Sequence, residues 1–347
     1  MAPGVTVYTA PPEALVELLA RSHLLHALPL IRRLRFATRF PGGITEHARI
    51  LWCSRLALED HLAANQSAEG EYQVGKQDEV EKEAVEVPFA AAYLDFSRGP
   101  ETELWIYSSM ERGSRKGTGR GEEGSKDGEE EIACAVSLLR EVKRQQDLYF
   151  TPGSAQARTR EFPTVLIGNL NEVLRERLAA PGVGMAIVST GLYDKWIFKV
   201  AELPDVALPE ILGDGQRWAW RAVRQEDIPF MLSRGTIDRR ERTVKLLPST
   251  ALYLDDGTPI AWAFLGPDSS LSSLHCEEPY RGRGIAKAVA VEVLRDHLGD
   301  YSDEPYGWAD VALDNIQSQG VCKSLHGQVG WQISWSRLNL DESFPHE

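Results

Sequence analysis

The chain contains an arginine- and glycine-rich turn at residues 279–286, which reads PYRGRGIA. An alternating run at 271–276 precedes this turn, and an apolar run with helical period at 285–297 follows it. The pattern predicts a strand, a turn and a helix in that order. Such a turn offers backbone N–H groups and two arginine side chains at the N-terminus of a helix, and the glycines allow close approach to the backbone. The sequence therefore predicts a phosphate-binding site here.

The segments around this turn predict a mixed order of strands and helices. The predicted strands lie at 249–254, 259–265, 271–276, 307–313 and 333–338, and the predicted helices lie at 226–233, 239–247, 285–297 and 315–325. This order is typical of an α+β fold.

The N-terminal half is also expected to combine helices and strands. We predict helices at 13–25, 46–64 and 135–148, strands at 89–95, 102–107, 184–188 and 195–200, and a strand followed by a helix within 164–180. Segment 69–86 is predicted to be a solvated loop, and the charged segment 111–131 a disordered insertion. A proline- and glycine-rich linker at 204–216 would separate an N-terminal domain, 1–203, from a C-terminal domain, 217–347.

Composition limits the classes of partner. With 38 Lys and Arg against 51 Asp and Glu, the net charge of −13 argues against nucleic acid, because phosphate backbones require a basic face. No apolar run is long enough to predict a membrane partner, and no metal site is predicted. Four widely spaced cysteines indicate a reducing, cytoplasmic setting, although the arginines of the first forty residues leave a mitochondrial presequence open. The oligomeric state stays open.

Residues 281–286 also resemble a family signature. Arg281–Ala286 matches the pattern Gln/Arg-x-x-Gly-x-Gly/Ala of the GCN5-related N-acetyltransferase (GNAT) superfamily. A second marker of that superfamily is an asparagine that opens the helix after the fifth strand, and Asn315 resembles it. The segment GTPIAW at 257–262 and its spacing to Tyr280 are similar to the glycine N-acyltransferase-like, FR47-like subgroup.

The resemblance implies a GNAT fold, with a mostly antiparallel central sheet splayed between strands four and five, preceded by a degenerate GNAT-like N-terminal domain. It implies acetyl-CoA, or another acyl-CoA, as the cosubstrate and a small-molecule amine as the acceptor. The coenzyme A-binding residues that it implies are Leu274, His275, Cys276, Arg281, Gly282, Arg283, Gly284, Ile285, Ala286, Asn315 and Ser318.

Two positions depart from the family pattern. Ser270 stands roughly where glycine acyltransferases have a glutamate base, and a hydroxyl cannot accept a proton from an ammonium group at neutral pH. Asp268, His275 and Glu277 are the candidate replacements.

The second departure is Cys322. Many members of the superfamily have a tyrosine there, which protonates the departing thiolate. Ser324 and His326 lie nearby as alternative donors. The predicted catalytic residues are therefore His275, Glu277 and Cys322.

Three other functions stay open at the level of sequence. The loss of both usual proton-transfer residues is compatible with a catalytically impaired sensor that binds coenzyme A without turnover. A thiol-reactive enzyme would use Cys276 or Cys322 with His275 or His326. In the third, the N-terminal half and its charged insertion would form an interaction protein.

Overall fold

The computed structural model describes residues 3–64, 87–115, 126–158, 161–210, 215–235, 237 and 239–345. The chain divides into two compact units. The N-terminal unit comprises residues 1–34, 45–191 and 334–347, and the C-terminal unit comprises residues 35–44 and 192–333. The domain boundaries inferred from the sequence, with a linker at 204–216, stay a prediction.

The N-terminal unit contains a sheet covered by helices. Its strands are β1 (Val5–Tyr8), β2 (Arg49–Ser54), β3 (Phe89–Leu94), β4 (Leu104–Ser108) and β5 (Val165–Asn171). They pair in that order, antiparallel up to β4 and parallel between β4 and β5. The helices are Glu13–Ser22, Leu24–Arg39, Lys126–Tyr149, Ala155–Arg158, Glu172–Ala179 and Leu340–Ser343. Residues 35–39 of the second helix belong to the C-terminal unit.

The long helix Lys126–Tyr149 closes the core of this unit. Its apolar residues recur at helical spacing, so one stripe is buried together with residues of the sheet. The stripe consists of Cys134, Ala135, Leu138, Leu139 and Val142.

The structure corrects several predictions for this half. Segment 46–64 was predicted to be one helix, but it forms strand β2 and a helical stretch at 58–64. The prediction was wrong because β2 is buried between β1 and β3, and a short run that is apolar on both faces has no diagnostic period. Helix Leu24–Arg39, which has Pro29 inside it, extends well beyond the predicted first helix.

The two polar segments lie partly outside the described residues. The predicted loop 69–86 lies entirely outside them, and so do residues 116–125 of the predicted insertion 111–131. Residues 126–131 are helical, in contrast to the predicted disorder. Glu130 there accepts a hydrogen bond from Arg55 at 2.7 Å, a contact that composition does not reveal.

The C-terminal unit carries the strands that flank the arginine- and glycine-rich turn. They are β6 (Ile187–Lys199), β7 (Trp218–Arg221), β8 (Ser249–Leu254), β9 (Pro259–Leu265), β10 (Leu271–Cys276), β11 (Tyr306–Ala312) and β12 (Gln328–Leu338), with β6 and β12 shared along the chain with the other unit. Helices Ile228–Ser233, Glu241–Val244, Ile285–Tyr301 and Ile316–Ser324 connect them.

The strands of the C-terminal unit form two sets. Strands β7, β8, β9 and β10 make an antiparallel sheet in that order. In the other set, β6 lies between β12 and β11 and pairs antiparallel with β11. Counted within the unit from β7, strands β10 and β11 are the fourth and fifth. Both are edge strands, and the described bridge between the two sets is a single parallel one, between Ser270 and Trp308. The sheet is therefore splayed there, which confirms the predicted α+β fold of the GNAT type.

A buried ion pair joins β6 to β11. The Lys195 ammonium donates to an Asp310 carboxylate oxygen at 2.6 Å, and only 1% and 6% of these side chains are exposed. Burial raises the pKa of Asp310, whereas Lys195 opposes that effect. Since removing one partner leaves an uncompensated buried charge, Lys195→Met is expected to reduce the free energy of unfolding by about 3–5 kcal/mol in urea titrations.

A matched control lies four residues along the same strand. Lys199 pairs with Glu202 on the surface, so Lys199→Met is expected to change stability little. The double variant Lys195→Met/Asp310→Leu removes both charges and should recover most of the loss. Equal effects of Lys195→Met and Lys199→Met would contradict this interpretation of the buried pair.

Candidate active site

The turn before helix Ile285–Tyr301 is shaped by two glycines in the left-handed region. Gly282 has φ +75°, and Gly284, the N-cap residue, has φ +79° and ψ 1°. Residues with a Cβ adopt this region at an energetic cost, which explains why glycine occurs at both positions. A Cβ added to either glycine would meet no heavy atom within 4 Å. The backbone of the turn is therefore open to a ligand.

The charges at the turn favour an anion. The first turn of helix Ile285–Tyr301 contains no acidic residue to neutralise its positive end. Arg281 and Arg283 are exposed. The Arg281 Nε donates to the carbonyl of Cys276 at 2.8 Å, which fixes the turn to the end of β10. Buried Ile285 anchors the helix start in the core. This combination of N–H groups and arginines favours a phosphate-bearing ligand.

Strand β10 is an edge with an irregular register. A bulge separates its two paired segments between Ser272 and His275, and Ser273 has φ +51°. Leu274, His275 and Cys276 lie beyond the bridge between Ser270 and Trp308, where β10 and β11 have diverged. An edge of this kind presents N–H and C=O groups to which an extended ligand can add as a further strand. Strand β10 therefore has an edge that is open to such a ligand.

His275 lies at the end of β10 against an aromatic wall. Its ring stacks on Trp262 with centroids 4.5 Å apart and an interplanar angle of 21°. Its Nε2 is 3.4 Å from a Glu277 oxygen, and the same oxygen accepts a hydrogen bond from Arg234 at 3.0 Å. Burial, the largest effect, lowers the pKa of His275; Glu277 opposes this, and Arg281 and Arg234 add to it. The imidazole is therefore neutral at pH 7 and can accept a proton.

Asn315 and Ser318 stand at the start of helix Ile316–Ser324, directly after β11. The Asn315 side-chain oxygen accepts a hydrogen bond from the Ser318 backbone N–H at 3.0 Å, which is an N-cap contact. The N-cap role is a structural explanation for the asparagine at position 315. Both residues follow the strand that forms the far side of the gap.

The two cysteines of this unit are buried in its core. Burial raises the pKa of Cys276 to about 11 and that of Cys322 to about 12. Both therefore carry protonated thiols at neutral pH, and the thiolate is the reactive form of cysteine. Neither position favours a thiol-reactive enzyme.

This burial predicts the outcome of alkylation. In the native protein at pH 7.5, Cys276 and Cys322 are expected to stay unmodified by iodoacetamide for hours, and both should react within minutes in denaturant. Peptide mass spectrometry gives the modified fraction of each. Rapid native labelling of either cysteine would contradict the assignment of both thiols to the core and would revive the thiol-reactive alternative.

The remaining candidate proton-transfer residues are engaged in local structure. Asp268 accepts hydrogen bonds from the N–H and the hydroxyl of Ser270, at 3.1 and 2.7 Å, as a turn residue does. Ser324 donates to a backbone carbonyl, and a ring nitrogen of His326 lies 2.9 Å from another. The structure thus places His275 and Glu277 together, and it adds Trp262 and Arg234, which were not predicted as site residues.

The described residues give no sign of a metal centre or a membrane helix. Within that part of the chain, no three His, Cys, Asp or Glu side chains come together in a way that could hold a metal ion. None of its helices has the length and apolar character needed to cross a bilayer. All four cysteines carry free thiols.

Comparison with solved structures gives the fold. A Drosophila protein, a structural genomics target, is 14% identical with a TM-score of 0.57, and the match covers 94% of this chain and 95% of that one. A tandem GNAT protein of the clavulanic acid pathway is 10% identical over 97% and 98% of the chains, with a TM-score of 0.48. A putative acetyltransferase from Pyrococcus horikoshii is 10% identical over 96% and 89%, with a TM-score of 0.45. The two lower scores support no inference about function.

Comparison with protein families is more specific. No curated protein matches the sequence. Residues 3–196, more than half of the chain, match the family described as the acyl-CoA N-acyltransferase verG N-terminal domain. This match does not include the arginine- and glycine-rich turn, so the sequence signature and the family match are independent. The chain belongs to the acyl-CoA N-acyltransferase family represented by verG.

Proposed function

We propose that this protein transfers the acyl group of acetyl-CoA to an amine of a small molecule, by direct attack in a ternary complex. The observation that carries the proposal is the arrangement within the C-terminal unit. The splayed gap beyond the bridge between Ser270 and Trp308, the His275 ring stacked on Trp262, and the open turn at Gly282 and Gly284 follow one another along β10 and the turn after it.

Each part of this arrangement would contact a different part of the acyl donor, acetyl-CoA. The N–H groups of the turn and the guanidinium groups of Arg281 and Arg283 would hold the pyrophosphate. The edge of β10 would pair with the pantetheine arm along Leu274 and Cys276, and Asn315 with its capped helix would border the far side. The bulge at Ser273 interrupts the pairing of β10 with β9. The N–H groups of β10 at the bulge would polarise the thioester carbonyl.

The chemistry then requires one base. The amine nitrogen attacks the carbonyl carbon, the C–N bond forms, and the C–S bond breaks to release the coenzyme A thiolate. His275 accepts the proton that the nitrogen loses and then returns it to solvent, from which the thiolate is protonated. Much of the rate enhancement would come from holding the two substrates together, which contributes about 7–11 kcal/mol in well-oriented reactions.

The roles of Glu277 and Cys322 differ from that of His275. Glu277 accepts a hydrogen bond from Arg234, so in this proposal it transfers no proton. Cys322 as the proton donor stays a prediction, and the pKa of about 12 makes its thiol a weak acid for that task. A thiolate leaving group needs less protonation than an amine, so the reaction can proceed without a dedicated donor.

A turnover assay tests the proposal. The full chain is incubated with acetyl-CoA and a panel of primary amines, thiol release is followed with a disulfide reagent, and the N-acetyl products are identified by mass spectrometry. We expect equal amounts of free coenzyme A and N-acetyl product with at least one amine. Binding of acetyl-CoA with no product across a broad panel would instead support the sensor, to which Ser270 and Cys322 point.

A further inference from the structure

A series of side-chain contacts connects the predicted base, His275, to the end of helix Ile228–Ser233. Arg234 is the residue that ends helix Ile228–Ser233. Its Nε donates to the Glu277 carboxylate at 3.0 Å, and the same Glu277 oxygen is 3.4 Å from Nε2 of His275. Arg234 and Glu277 are 43 residues apart, so the fold alone brings them together.

Aromatic contacts fix the positions of the side chains in this series. The Arg234 guanidinium carbon lies 4.9 Å from the centre of the Phe230 ring, and Phe230 packs edge-on against Trp262 at 5.8 Å. Trp262 in turn stacks on His275. Helix Ile228–Ser233 therefore contacts Trp262 through Phe230, and its C-cap residue Arg234 binds Glu277.

The two contacts of Glu277 are unequal. Its hydrogen bond to Arg234 has ordinary length, whereas 3.4 Å to His275 exceeds the 2.7–2.9 Å of a strong charge-assisted bond. Without Arg234, His275 would be the nearest described residue with which the Glu277 carboxylate could pair. An ion pair with His275 would keep the imidazole protonated, and a protonated imidazole cannot act as a base.

We infer that Arg234 is a positioning residue for the base: it binds Glu277 and thereby weakens the interaction of this carboxylate with His275. The inference rests on the proposed function, in which His275 accepts the proton of the amine. The charged groups that face His275 are Glu277 at the end of β10, Arg281 in the turn and Arg234. Arg234 lowers the pKa of His275 by its own charge, and Glu277 raises it. The hydrogen bond from Arg234 would reduce that opposing effect of Glu277.

Nuclear magnetic resonance can test this without any acceptor. The full chain is labelled in its histidine rings, the His275 signal is identified by its absence in His275→Gln, and its pKa is measured by pH titration. Arg234→Met is expected to raise the pKa of His275 by about 1. Arg234 is 46% exposed, so this variant should fold. Arg234→Lys keeps the charge and should recover most of the wild-type value.

A second arginine provides a matched control. Arg239 lies five residues after Arg234 in the chain. It donates a hydrogen bond to Ser272, on the other side of the bulge in β10 from His275. Arg239→Met removes an equal charge, but it should leave the pKa of His275 unchanged. An unchanged pKa in Arg234→Met, or an equal rise in Arg239→Met, would overturn the inference. Because the titration needs no turnover, it stays informative even if the amine panel gives no product.

Discussion

Replacing Gly284 with valine is expected to lower the affinity for coenzyme A by at least about a hundredfold, or about 2.8 kcal/mol of binding free energy. Gly284 has φ +79°, which a β-branched residue adopts only at high cost. The valine side chain would also occupy the open space above the turn, where we propose that the pyrophosphate binds the N–H groups. Isothermal titration calorimetry with coenzyme A measures the loss.

Gly257 offers a control for backbone strain alone. It has φ +86° and lies in the hairpin turn between β8 and β9 of the same unit. Gly257→Val should destabilise the protein in thermal unfolding while coenzyme A affinity stays within about twofold. Unchanged affinity in Gly284→Val would rule out the turn as the pyrophosphate site, and an equal loss of affinity in both variants would show that strain alone explains the result.

The second large effect concerns His275. His275→Gln is expected to reduce kcat/KM for acetyl transfer by about 10²–10⁴ with any amine that the panel identifies, since this is the usual contribution of a general base. Glutamine keeps a planar polar group that can lie against Trp262. The binding of coenzyme A should change little, because the turn and the edge of β10 stay intact.

The pH dependence of the acetyl-transfer rate tests whether His275 acts as the base. A base works in its neutral form, and the pKa of His275 lies below the ordinary value of 6.5. With an acceptor whose amino group is uncharged across the titrated range, the wild-type rate should therefore be constant through neutral pH and fall only on the acid side of 6.5, as His275 becomes protonated. His275→Gln should lack this acid limb.

His297 is a suitable control for the histidine substitution. It lies on helix Ile285–Tyr301, where one ring nitrogen is 3.1 Å from Asp300. His297→Gln should retain the wild-type rate and its acid limb. A wild-type pH profile in His275→Gln would exclude His275 as the base and return Asp268 to consideration.

Local signals explain why part of the fold could be predicted from the sequence. Strands β8, β9 and β10 have the predicted ends, because the turns at 255–258 and 266–268 delimit them. The turn at 279–286 was equally visible, since its glycines and arginines act through adjacent backbone groups. These elements are set by residues that are close together in the chain.

The features that were missed depend on distant contacts. Strand β2 is a strand because it is buried between β1 and β3, which its own six residues do not reveal. The interaction of Arg234 with Glu277 spans 43 residues and has no local motif. His275 was proposed as one of several bases, and its stacking on Trp262 becomes visible only when β9 and β10 are placed in register.

A crystal structure of the chain with coenzyme A is the most direct test of the central claim. We predict that the pyrophosphate lies on the N–H groups at 282–286 and that the pantetheine arm runs along β10 into the gap before β11. The sulfur should then lie in that gap, close to the bulge at Ser273. A coenzyme A molecule bound elsewhere, with the turn and the gap unchanged, would contradict the assignment of this unit as the acyl-donor site.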